Sequence, residues 1–147
     1  MSNTLEVINQ IKEIAKSNSE RNEVHKTREF KALHTGKCYR QGDIYVFKVS
    51  NDHRVGAKLD RRQIADGVSL GARHVLVGDF HVYEGVEYPC EVNDLNRKAN
   101  CLGYAFDVLT PGAINTHPEH DNFKLMECGR YQVVHQVDYM TLRRVAD

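Results

Sequence analysis

From Cys38 onward the chain runs in short stretches of β-branched and aromatic residues, each broken by Gly, Asp or Asn, and this punctuation constrains the fold more than any other feature. It is the signature of antiparallel sheet, in which such residues suit a pleated, half-buried surface. The pattern predicts strands over 44–49, 74–77, 80–83, 103–108, 123–126 and 131–139. Gln41-Gly42-Asp43 supplies the turn before the first, Val77-Gly78-Asp79 a bend between the second and third, and Glu127-Cys128-Gly129 a tight turn into the last. Short strands at these intervals favour a small antiparallel β-barrel or sandwich over alternating βαβ units. Helical periodicity enters twice. Leu5, Ile8, Ile11 and Ile14, with a cap at Asn3 or Thr4, predict an amphipathic helix over 4–17, and Leu59, Ile64 and Val68 share a face that predicts a second over 60–70. The expected chain is mainly β (α+β), with residues 1–33 as N-terminal helix and linker and residues 34–147 as the barrel-like domain.

A chain of 147 residues buries an adequate core as one domain, so neither disulfides nor a structural metal are required. Lys plus Arg and Asp plus Glu both number 20, and the resulting zero net charge argues against general attraction to nucleic acid or to a membrane surface. Charge is uneven locally. Arg54, Lys58, Arg61, Arg62 and Arg73 cluster within 53–74 against Asp60 and Asp66, whereas 79–94 is acidic and lacks Lys and Arg, so two faces of opposite sign are expected. Cys38, Cys90, Cys101 and Cys128 form no Cys-x-x-Cys pair and read as reduced thiols. With no basic-then-apolar leader and no run near the roughly 18 apolar residues of a membrane span, the expected compartment is a cytoplasm.

His117-Pro118-Glu119-His120 concentrates the chemistry. Neutral imidazole and carboxylate are the nitrogen and oxygen donors for Zn, Fe, Mn or Ni, and the proline pushes His117 out of helical geometry onto a loop or strand edge. Helical zinc proteases need two histidines four apart around a glutamate, whereas here the spacing is three with a proline inside. His74 shares a strand face with Leu76 and is the candidate third ligand. A divalent metal held by His74, His117 and His120 keeps a position open for water or substrate and leaves Glu119 as the catalytic base; two histidines plus Glu119 make a facial triad instead. Either arrangement implies hydrolytic or oxidative chemistry on a small molecule.

A second reading has no turnover. Arg54, Lys58, Arg61, Arg62 and Arg73 are expected to hold phosphates, Tyr39, Tyr45 or Tyr131 to stack on a base, and the histidines, His135 included, to donate to a bound anion. The chain then sequesters a nucleotide-like molecule or docks an acidic protein. His135 also reads as a core histidine, because it alternates with Tyr131 and Val133 on one strand face. The terminal helix either packs on the domain or pairs with a second copy as a homo-oligomer. Phosphate loops, Gly-x-Ser-x-Gly elbows and Cys beside His are absent from the sequence.

Gly71-x-x-His74 followed by His81 and Glu84, then a Gly129-containing strand with His135, loosely resembles the two-motif layout of cupins. That resemblance implies a small β-barrel holding a metal through histidines and a carboxylate, although the paired histidines of the first cupin motif are not present here. Arg40-Gln41-Gly42-Asp43, Gly71-Ala72-Arg73-His74, His117-Pro118-Glu119-His120 and Gly129-Arg130-Tyr131 with Gln136-Val137-Asp138-Tyr139 also resemble small uncharacterised bacterial and phage proteins. This second likeness implies no activity.

Overall fold

Alternation along each strand decides which side chains enter the core. In β3 (Ile44–Lys48), Ile44 and Val46 are buried while Tyr45 and Phe47 keep partial access to solvent. The computed structural model describes residues 11–12, 26–66, 73–89 and 101–136. Among these lie ten further strands: β1 (Thr27–Phe30), β2 (Cys38–Gln41), β4 (Val55–Leu59), β5 (Gln63–Asp66), β6 (Arg73–Val77), β7 (Phe80–Gly85), β8 (Leu102–Val108), β9 (Ala113–Thr116), β10 (Asn122–Leu125) and β11 (Gly129–His135). Apart from Ile11 and Lys12, the helix expected over 4–17 lies outside the described residues.

The strands form two sheets, ordered β1-β10-β9-β6-β5 and β2-β3-β11-β8-β7-β4. Pairing is antiparallel throughout except between β1 and β10, which run parallel. One apolar cluster joins the sheets, with Phe30, Ile64, Leu76 and Leu125 from the first against Ile44, Phe106, Tyr131 and Val133 from the second. The chain is therefore mainly β, as its punctuation predicts, but the described strands do not close into a barrel. Each sheet keeps two edges.

The second expected helix is a correction. Leu59 ends β4 in one sheet and Ile64 lies in β5 of the other, so the two residues that appear to share a helical face belong to different layers. Residues 60–62 connect them, and a bulge between Gln63 and Ala65 turns both Ile64 and Ala65 into the core. Residues 67–70 lie outside the described residues. β1 falls in the stretch expected to be linker, where it pairs with β10 and buries Phe30. No helix among the described residues is long and apolar enough to cross a membrane.

Two features of this layout position the site. Gln41 pairs with Ile44 across a two-residue turn, and Gly42 takes a φ of 58°, the left-handed region that glycine enters without strain. Gln41 and Asp43, on either side of that glycine, are both buried. Opposite them, β6 and β9 bring His74, Asn115 and Thr116 inside, and the shared interior becomes polar there.

Candidate functional site: a buried histidine row opening on a groove

His74 is fully buried, and each of its ring nitrogens faces an acceptor: Nδ1 lies 2.7 Å from Gln41 Oε1, and Nε2 lies 3.0 Å from Asp43 Oδ1. Gln41 cannot turn its amide around. Its Nε2 already donates to the Asn115 carbonyl at 3.0 Å and the Asp121 carbonyl at 2.8 Å, so Oε1 is the atom that meets His74. His74 Nδ1 therefore carries a hydrogen. Burial pushes the Asp43 carboxyl up, but the hydrogen bond and charge of His74, helped by the charge of His135, outweigh it and hold the group below the usual carboxylate range. Asp43 is thus held ionised against the His74 ring between the sheets. Asp43 Oδ2 is buried without a hydrogen-bond partner among the described residues.

Proline sets the next step. His117 follows the last residue of β9, Pro118 behind it is buried as well, and the chain bends so that the Glu119 amide donates to His117 Nδ1 at 3.0 Å. The His117 ring lies 4.5 Å from that of His74 and 4.5 Å from that of His120. Three imidazoles therefore form a row from the buried pair outward. His120, half-buried, reaches a groove of about 590 Å3 lined also by Arg28, Tyr39, Arg40, Gln41, Asp121 and Phe123. Tyr39 and Phe123 stack there at 4.3 Å and 20°. The Tyr39 hydroxyl accepts from Asn115 Nδ2 at 3.0 Å, and burial raises its pKa far above the ordinary phenol value. Arg40 is steered by Nε to the Gly42 carbonyl at 2.9 Å and by Nη2 to Gln136 Oε1 at 2.7 Å. Arg28 is bonded to Asp121.

The expected meeting of His74 with His117 and His120 occurs in space, as a succession of ring contacts. The His117 Nδ1 lone pair is taken by the Glu119 amide, and both His74 nitrogens face acceptors. No group of three or more His, Cys, Asp or Glu among the described residues is placed to hold an ion. Glu119 enters the site through its backbone, while its side chain is exposed. His135, only 7% exposed, is close enough to Asp43 to contribute to the lowering of its pKa.

The other expected ligand residues separate. Arg61 and Arg62 line a different groove, of about 420 Å3, with Lys58, Phe80 and His81. Arg73 is exposed at the start of β6 and is not part of that lining. Tyr131, expected to stack on a base, is a correction: it is a fully buried core residue stacked on Phe106 at 5.2 Å, and its hydroxyl donates to the Glu127 carbonyl at 2.7 Å. Sequence reasoning missed Gln41, Asp43 and Asn115 as members of the site, and its one signal for the first two was the turn around Gly42. No protein-family model, curated protein or solved structure matches the chain.

Proposed function

We propose that this chain is a non-catalytic binding module that takes a small, planar, anionic molecule into the groove beside Arg40 and His120. The observation that carries the reading is the donor-rich lining of that groove. Its one carboxylate, Asp121, is engaged by Arg28 and by the Lys26 amide at 3.0 Å, and the Arg40 guanidinium and the His120 ring stand in the same lining. The stacked Tyr39–Phe123 pair offers an aromatic surface beside them. A groove of this volume falls in the range of small-molecule sites, and fixed polar groups against aromatic walls are their usual make-up.

Binding without turnover follows from where the proton-carrying groups are used. Both His74 nitrogens face buried acceptors, His117 Nδ1 accepts the Glu119 amide, and the Glu119 carboxylate faces solvent, so His120 is the imidazole that lines the groove. The row behind it acts as a rigid mount.

The test follows the ring resonances of His120 by NMR while benzoate, a planar carboxylate, is titrated at constant ionic strength. A saturable shift is expected, with affinity weakened at least about tenfold, or 1.4 kcal/mol, in Arg40→Ala and in His120→Ala. No saturable shift in the wild type would defeat the reading. So would near-stoichiometric metal in protein prepared without chelator, if it is lost from the His117→Ala, His120→Ala double variant; that result would transfer the site to metal-dependent chemistry.

A further inference from the structure

We propose that the groove of about 420 Å3 at the β4–β5 connection is a second ligand site, built to take a phosphoryl group. Three donors reach it from different parts of the chain: Lys58 from β4, Arg62 from the connection and His81 from β7. None of the three has a hydrogen-bonded or ion-paired side-chain partner among the described residues. The two acids of the same lining form no ion pair with these donors among the described residues. Asp79 accepts a hydrogen bond from the Thr110 hydroxyl at 2.9 Å, and Asp60 forms no ion pair among the described residues despite its place beside Arg61 and Arg62. Lys58, Arg61 and Arg62 outnumber Asp60 and Asp79 in this lining, and a phosphate supplies the donors with negative charge and acceptor oxygens.

The groove is also held in shape before any ligand arrives. Arg61 acts as an anchor: its Nε donates to the Gln63 carbonyl at 2.7 Å, its Nη1 to the Tyr104 hydroxyl at 2.6 Å, and its guanidinium lies 4.3 Å from the Tyr104 ring centre. The Arg62 carbonyl accepts the Leu76 amide at 2.9 Å, which ties the connection to β6. Arg62 then extends over Phe80, 5.4 Å from its ring centre, so its long side chain is supported while its donors remain unused. A fixed backbone with a supported guanidinium lowers the ordering cost of capture. The ligand is a phosphate dianion, either free or carried on a small ester.

The experiment titrates the full-length protein with inorganic phosphate at constant ionic strength and follows the His81 ring resonances by NMR, with 5′-AMP as the ester arm and chloride as the screening control. A saturable His81 shift is expected, with half-saturation raised at least tenfold in Arg62→Ala and in Lys58→Ala and unchanged in His120→Ala, which separates this groove from the first. Arg62→Lys, which keeps the charge and loses the planar fork, is expected to fall in between, and it stands in if the alanine variant misfolds. Tighter binding of 5′-AMP assigns the site to phosphate esters, and equal binding assigns it to free phosphate. The proposal is overturned by absence of a saturable shift, by an equal shift with chloride, or by a shift that neither Arg62 variant alters.

Discussion

Asp43 meets a donor from His74 at 3.0 Å inside the fold and feels a weaker attraction from His135, while its other oxygen stays buried without a hydrogen bond among the described residues. Removing one partner of such a pair strands the other as an uncompensated buried charge. Asp43→Ala is expected to destabilise the fold by about 3–5 kcal/mol, read as the shift in the urea midpoint at constant m-value. The acid response has a defined sign. Because the folded pKa is depressed, the stabilisation from Asp43 is fully present above the unfolded value of about 3.9 and is lost as pH falls through the lower folded value. Stability measured at pH 5 and at pH 2.5 should therefore fall less in Asp43→Asn than in wild type; equal falls would show that this carboxylate is not a source of the acid response. The sequence exposed only half of this network. The histidines stand out by their chemistry, but Gln, Gly and Asp together read as an ordinary turn, and the reason for Asp43 lies 31 positions away in His74.

At the scale of the element, composition separated the strands that sequence reasoning found from those it missed. β3, β8 and β11 carry aromatic and β-branched side chains on an inward face, and the pattern announces them. β1 exposes three of its four residues, and β4 contains Gly56, Ala57 and Lys58, so both lack the alternation that marks a strand. Their order comes from neighbours: β4 pairs with β7, and β1 with β10. Close approach of backbones is equally silent in one sequence. A Cβ added at Gly85 would collide with the Gly103 carbonyl oxygen and come within 2.9 Å of Gln132 Nε2. That carbonyl accepts from Gln132 Nε2 at 2.8 Å, and the same amide holds His53 through Oε1 at 3.1 Å, so the collision spreads beyond one contact. Gly85→Ala is expected to cost about 1–3 kcal/mol and to lower amide-exchange protection in β7 and β8, while Gly36→Ala, strained by its φ of 91° but with nothing within 4 Å of the added Cβ, lowers that protection less. Equal loss of protection in both variants would rule out the close approach as the cause.

Across the whole molecule, the two sheets are assembled from distant parts of the chain, with Thr27 facing Asn122 in one layer and Lys48 facing Tyr131 in the other. Loop closure precedes the reward of such contacts, so refolding is expected in the millisecond-to-second range by stopped-flow rather than in microseconds. The same topology bears on residues 1–33, which the sequence divides from the β domain because their polar stretch lacks periodicity. Phe30 from this stretch is 6% exposed and packs on Tyr39 at 4.8 Å and on Tyr131 at 6.5 Å, and the Met126 amide donates to its carbonyl at 3.1 Å. β1 therefore forms an edge of the first sheet, and Phe30 joins the core. Phe30→Ala is expected to cost about 3–5 kcal/mol through the cavity it leaves. Deletion of residues 1–31 removes the same ring together with β1, so it is expected to cost more and to leave the β10 edge open to pairing with other chains. Analytical ultracentrifugation should then show concentration-dependent association in the truncated chain and none in Phe30→Ala. A truncated chain that stays monomeric with wild-type stability would mean that β1 adds nothing to the fold.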